Sequence, residues 1–208
     1  MQVFVVEGHE LVRLGLSDLL EDEGCEVVGG SASAIEAIRD IAHLRPDIVI
    51  LDGHLSDGTG VEVCRMVRSI DPGIRCLMLT SFDDENALRR AVLAGASGYL
   101  LKEAGNHRLV NRVRRAAAGE TLLASGSIAR ARAQLSQVLS HRRPPLFTAL
   151  EWQVASLIVQ GLSNREIGTH LVLTDAVVTG LVSSVLATLD ASASRSTPLR
   201  PGFGDVQA

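Results

Sequence analysis

Ile48-Val49-Ile50-Leu51-Asp52 is a run of four aliphatic residues that ends in a carboxylate. Such a run, with no polar alternation, is the pattern of a strand covered on both faces of a parallel sheet. The pattern recurs with a different polar group at its end each time. Cys76-Leu77-Met78-Leu79 runs into Thr80-Ser81, and Gly98-Tyr99-Leu100-Leu101 runs into Lys102. Val3 to Val6 and Glu26 to Gly29 supply two more strands. Between them lie amphipathic stretches, Glu10 to Asp22, Ser33 to His43, Gly60 to Ser69, Asp84 to Ala94 and Asn106 to Ala117. Leu11, Leu14, Leu19 and Ile35, Ile38, Ile41 carry the helical spacing. Gly24, Pro46, Pro72 and Gly95 punctuate the joints. Five strand-helix repeats predict an α/β domain over residues 1–117, a doubly wound five-stranded parallel sheet. Sites in that class form where loops leave the carboxyl ends of the strands. Glu7, Asp52, Thr80 and Lys102 all fall there.

The lysine is singular. Of the 20 basic residues in 208, Lys102 is the one that is not arginine. A compact ammonium with three rotatable donors suits a small oxyanion in a tight pocket better than a planar guanidinium does. The bulk numbers exclude other classes. A net charge of −4 makes no global case for nucleic acid or an anionic membrane. Cys25, Cys64 and Cys76 are odd in number and lack metal spacing, as in a reduced, cytoplasmic protein. The chain starts in a strand without a basic, apolar leader, and no run of about 18 apolar residues offers a membrane span.

Residues 118–146 change character. Arg130, Arg132, Arg142 and Arg143 stand among Ala, Ser and Gln, and Pro144-Pro145 closes the segment, as in a linker that could itself be helical. Thr148 with Glu151 three residues on is a capping-box pattern opening a helix that stops at Gly161. Ser163 caps a short second helix. Thr174 or Asp175 opens a third that runs to about Leu189. Three short helices over 147–190 have helix-turn-helix proportions, and 191–208 reads as a disordered tail.

The first 117 residues resemble the receiver domain of bacterial two-component response regulators. His9-Glu10-Leu11-Val12-Arg13-Leu14-Gly15-Leu16, Leu51-Asp52, Asp57-Gly58-Thr59-Gly60, Leu79-Thr80-Ser81 and Ala94-Gly95-Ala96-Ser97-Gly98-Tyr99-Leu100-Leu101-Lys102 match in order and spacing. Gly161-Leu162-Ser163-Asn164-Arg165-Glu166-Ile167 and Val182-Ser183 resemble the helix-turn-helix of the NarL/LuxR group, the mycobacterial dormancy regulators included. The resemblance implies a regulator of transcription and not an enzyme. Asp52 would accept a phosphoryl group from a histidine kinase or a small phosphodonor. Thr80 and Lys102 would bind its oxygens, and Tyr99 would be the aromatic that changes burial on activation. Glu7, Asp52 and the His54 backbone carbonyl would hold Mg²⁺. Arg165, Thr174, Ala176, Thr179 and Gly180 would be the residues facing DNA.

The chain departs from the family at both ends of this scheme. Two adjacent acids normally precede the His of the first motif, whereas Glu7-Gly8-His9 keeps one of them, lengthened by a methylene. Ser56 stands where Pro is common. Losing one anionic ligand should weaken Mg²⁺ and slow phosphorylation. In the third helix, Val177-Val178-Thr179-Gly180-Leu181-Val182 replaces Thr-Val-Lys-x-His-Val, and Gly180 costs the helix about 1 kcal/mol relative to Ala. From Phe147 to Asp190 Arg165 alone opposes Glu151, Glu166, Asp175 and Asp190, a formal charge of −3. Phosphate neutralisation supplies most non-specific DNA affinity. Two functional readings therefore stand. One is an atypical regulator with weakened phosphorylation and weak or partner-dependent DNA binding. The other is a regulator-derived interaction protein that dimerises, with itself or an intact relative, and does not read DNA. An enzyme on a flavodoxin-like scaffold ranks far below both, because no nucleophile-base set lies outside the pocket. The arginines at 112, 114 and 115 read as a solvated face, and Gly58 and Gly60 as turn residues.

Overall fold

The computed structural model describes residues 1–81, 85–102, 106–140 and 147–196. Five strands, β1 (Gln2–Val6), β2 (Glu26–Ser31), β3 (Ile48–Asp52), β6 (Arg75–Thr80) and β7 (Gly98–Leu101), form one parallel sheet in the order β2-β1-β3-β6-β7. His54–Leu55 (β4) and Gly58–Thr59 (β5) make a small antiparallel hairpin after β3, which the sequence pattern did not announce. The order reverses between β1 and β3, so Glu7 and Asp52 leave the sheet at its topological switch point.

Helices cover both faces. The buried side chains Val3, Val5, Ile48, Ile50, Leu77 and Leu79 face α1 (Glu10–Asp22) and α5 (Asn106–Ala117). Phe4, Val6, Val49, Leu51, Cys76 and Met78 face α2 (Ala34–Leu44), α3 (Gly60–Ile70) and α4 (Glu85–Leu93). Alternate strand residues thus serve opposite layers, as the pleat requires. Aromatic side chains are few, and the packing is aliphatic.

Helix ends fall where the caps put them. Ser33 accepts from the Glu36 N–H, and Thr59–Glu62, Thr148–Glu151 and Ser163–Glu166 are complete capping boxes. The helical spacing misjudged some faces. Leu11 and Leu14 of α1 and Ile35 of α2 are exposed, and α1 rests on Leu20 with Leu16 and Leu19 beside it. Gly60 is not simply a turn residue. A Cβ there would stand 2.1 Å from the Asp52 carbonyl oxygen, so only glycine lets α3 start against the end of β3. Arg112, Arg114 and Arg115 are exposed as expected, and Arg114 and Arg115 pair with Glu23 and Glu120. All three cysteines are free and buried.

The linker is helical. α6 (Ser125–Ser140) packs on α4 and on α7 (Ala149–Val159), and its Ala131 and Leu135 are buried. α8 (Asn164–Leu171) and α9 (Asp175–Ser196) complete the second domain. Val154, Ile158, Ile167, Val178, Val182, Val185 and Leu186 form its core, continuous through α6 with the core of the first. α9 continues past Leu189 to Ser196, so the segment expected to begin a disordered tail at 191 opens as helix. Pro144-Pro145 and residues from 197 on lie outside the described residues.

Candidate functional site

Three strand ends bring the chemistry together. Asp52 is the last residue of β3, Lys102 follows β7, and Glu7 follows β1. Lys102 Nζ lies 2.6 Å from Glu7 Oε2 and 3.2 Å from Asp52 Oδ2. Glu7 is 1% exposed. Its other oxygen, Oε1, accepts the His9 backbone N–H at 3.0 Å and lies 3.2 Å from His9 Nδ1. The Glu7 carbonyl in turn accepts Arg13 Nη1 at 2.8 Å, which holds the loop after β1 in place.

The two carboxylates are shifted in opposite directions. Burial raises Asp52, the charge of Glu7 raises it further, and Lys102 only partly offsets them, so Asp52 stands above its ordinary value. Burial also pushes Glu7 up. The Lys102 ammonium and the His9 donors outweigh that push, so Glu7 stands below its ordinary value. Glu7 is therefore the committed carboxylate and Asp52 the responsive one.

Thr80, buried at the end of β6, completes the rim. Its carbonyl accepts the Lys102 N–H at 2.7 Å, and its hydroxyl lies 3.8 Å from where a Cβ on Gly53 would stand. Asp57 secures the hairpin above the pocket. It accepts Ser33 Oγ at 2.6 Å and the Ala34 N–H at 2.7 Å, and these bonds lower its pKa. Single ligand atoms of Glu7, His9 and Asp52 lie within 4.8 Å of one another. The two carboxylates are hard oxygen donors of the kind Mg²⁺ takes, so the donor set fits a divalent cation. A Cβ on Gly8 would stand 3.8 Å from the His54 carbonyl oxygen, ordinary van der Waals contact. That carbonyl therefore borders the same loop, and there is space at position 8 for a side chain.

Residues 3–114 match the response regulator receiver domain. DevR/DosR of Mycobacterium tuberculosis, a DNA-binding transcriptional activator, is 38% identical over 192 residues, 91% of this chain and 88% of that protein. The chain is a NarL/LuxR-type response regulator. Among solved structures, the receiver domain of a NarL from Mycobacterium tuberculosis is 30% identical with a TM-score of 0.55, covering 57% of this chain and 97% of its own. ChrA, the response regulator of a heme-sensing two-component system, is 27% identical with a TM-score of 0.51. It covers 93% of this chain and 96% of its own.

The regulator's Tyr99 is half-buried on β7 opposite Met78. The residues expected to face DNA do not form one free surface. Arg165, Thr174, Ala176 and Gly180 are exposed. Arg165 and Thr174 border a cleft whose other wall is Ser69 and Ile70 of the receiver. Thr179 is half-buried and turned inward. Its hydroxyl donates to the Asp175 carbonyl at 2.8 Å, accepts from Asn164 Nδ2 at 3.1 Å, and lies 3.9 Å from Met66 Sδ of α3. Sequence reasoning missed the roles of Asn164, Met66 and Arg65. The first lay inside a quoted motif, but the other two carried no signal, because an interface between domains has no periodicity of its own.

Proposed function

We propose that this regulator controls transcription through a receiver that takes a phosphoryl group at Asp52 inefficiently and a helix-turn-helix domain that meets DNA weakly or through a partner subunit. The observation that carries the reading is the Lys102 ammonium shared between Glu7 and Asp52, beside a glycine at the position of the second acid. A carboxylate oxygen of Asp52 would form the new bond to phosphorus. The P–N bond of a phosphohistidine, or the P–O bond of a small donor, would break, and the leaving group would take the electron pair. Lys102 and Thr80 would then bind the phosphoryl oxygens. Mg²⁺, held by Glu7, Asp52 and the His54 carbonyl, would screen the charge between the approaching phosphate and Asp52. With Glu7 already committed to Lys102 and His9 and no acid at position 8, that hold would be weak. Residues 1–117 would act as the receiver, α6 as the connector, and 147–190 as the DNA-facing domain, with Tyr99 as its conformational reporter.

Incubating the chain with acetyl phosphate and following intact mass tests this. One phosphoryl adduct is expected, slow to form, dependent on millimolar or higher Mg²⁺, and absent in Asp52→Asn. An adduct that persists in Asp52→Asn would remove the assignment. The reading as an interaction protein draws support from Thr179, whose hydroxyl is bonded to Asp175 and Asn164 and lies against Met66 of the receiver. The two readings part on DNA retention, because an interaction protein would retain none even beside a partner.

A further inference from the structure

Between the receiver and the second domain lies a cleft of about 350 Å³, within the size range of small-molecule sites. Four arginines line it: Arg65 and Arg68 of α3, Arg132 of α6 and Arg165 of α8. None of the four lies within ion-pair distance of a carboxylate among the described residues. One carboxylate, Glu166, also borders the cleft. Its Oε2 is spent on the Ser163 backbone N–H and hydroxyl of the α8 capping box.

Arg65 is the decisive group. It is 6% exposed, its Nη1 donates to the Leu93 carbonyl, and its Nε and Nη2 have no hydrogen-bond partner. A buried guanidinium without a counter-charge is costly to keep. Desolvation lowers its pKa to about 10, the direction expected of a cation with no anion beside it. Arg68 is turned along the same wall, giving Nη1 to the Pro72 carbonyl at 3.0 Å. Arg132 reaches across from the linker, its Nη2 3.0 Å from where a Cβ on Gly161 would stand. The first residues of α8 enter the cleft as well, so the positive end of that helix dipole adds to the field.

An unmatched acceptor is buried in the wall of the same cleft. Asn164 is fully buried and its Oδ1 has no donor. The Thr179 hydroxyl proton is directed to the Asp175 carbonyl, so the Asn164 amide nitrogen must face Thr179 and its oxygen is left over. Unmatched guanidinium donors and an unmatched amide acceptor in the walls of one cleft suit a ligand with a multiply charged anionic group and a hydroxyl. Guanidinium forks favour phosphate.

We propose that this cleft binds a small phosphorylated, hydroxyl-bearing metabolite of sugar-phosphate or mononucleotide size, and that the ligand clamps the receiver to the helix-turn-helix domain. Because the walls belong to both domains, such a ligand binds the closed arrangement and not an open one. It shifts the population accordingly. It would be an input separate from Asp52.

Calorimetric titration and thermal melting of the full chain test this, with ribose 5-phosphate, inorganic phosphate and neutral ribose as probes. Saturable binding of ribose 5-phosphate is expected, with a rise in melting temperature. Inorganic phosphate should bind at least about tenfold more weakly, and ribose should not bind. Arg65→Met, which removes a buried unpaired charge, should melt no lower than the parent and lose the response. Arg132→Ala, at an exposed position, should weaken binding about tenfold if Arg65→Met does not fold. No response to ribose 5-phosphate overturns the proposal. So does a response that survives both arginine variants but disappears in Lys102→Met, since that phosphate would sit in the receiver pocket. Tighter binding of inorganic phosphate than of ribose 5-phosphate overturns the hydroxyl-bearing class.

Discussion

At the carboxyl edge of the receiver sheet one half-buried ammonium lies 2.6 Å and 3.2 Å from two buried carboxylates. Over residues 147–190 of the second domain a single arginine stands against four carboxylates, and Thr179 lies against Met66 of the receiver. Under the proposed function both regions would meet phosphate. The first has the groups that would bind a phosphoryl oxygen and a glycine where the family's second acid would help hold a cation. The second has kept its core, caps and turns, and has lost most of its positive charge. A fold is carried by apolar pattern and capping, which tolerate changes in surface charge. A phosphate site is carried by a few charges and cannot. The two properties can therefore diverge within one chain.

The largest effect is expected where the charges are buried. Lys102→Met leaves Glu7 and Asp52 facing each other with no counter-charge, and should cost about 3 kcal/mol of stability, read as a lower urea midpoint. If Lys102→Met melts like the parent, the ion triad contributes little and Lys102 serves phosphate alone. Gly8→Asp should come next. Position 8 has space for a side chain, and the added carboxylate should raise Mg²⁺ affinity at least about tenfold, roughly 1.4 kcal/mol, in a titration followed by a nearby probe. No change would mean that Glu7 alone already supplies the missing ligand.

The smallest expected effect lies in the second domain and touches only its scaffold. Val172 closes α8 in the left-handed region, with φ of 56°, although it is β-branched and 92% exposed. Val172→Gly should therefore raise stability by about 1 kcal/mol in chemical denaturation without altering DNA or Mg²⁺ binding. A loss of stability would show that the side chain packs on something outside the described residues.

Much of this is legible in the sequence. The unbroken aliphatic run Ile48 to Leu51 and the glycine and proline joints gave the parallel sheet. The polar residues ending successive runs gave the pocket, because strand ends converge in this topology. Capping boxes at Thr148 and Ser163 located the second domain. The orientation of α1 was less legible. Leu11 and Leu14 share a helical spacing with the core but face solvent, since spacing marks a stripe and not which stripe is covered. The approach of Met66 to Thr179 and the unpaired Arg65 were not legible at all. They arise from packing one domain on another, and neither residue sits in a motif or a period that could announce it.

The contrast between the two regions is tested most directly by DNA binding of the isolated full chain across a salt series, read by fluorescence anisotropy in phosphate-free buffer. With Arg165 as the one arginine or lysine of residues 147–190, a homodimer would set two of them against phosphate. Weak, mostly non-specific binding with a log-log salt slope of about −2 is expected. Thr179→Lys with Gly180→Asn should steepen that slope and tighten binding. Nanomolar, sequence-selective binding by the unaltered chain at physiological salt would contradict that expectation.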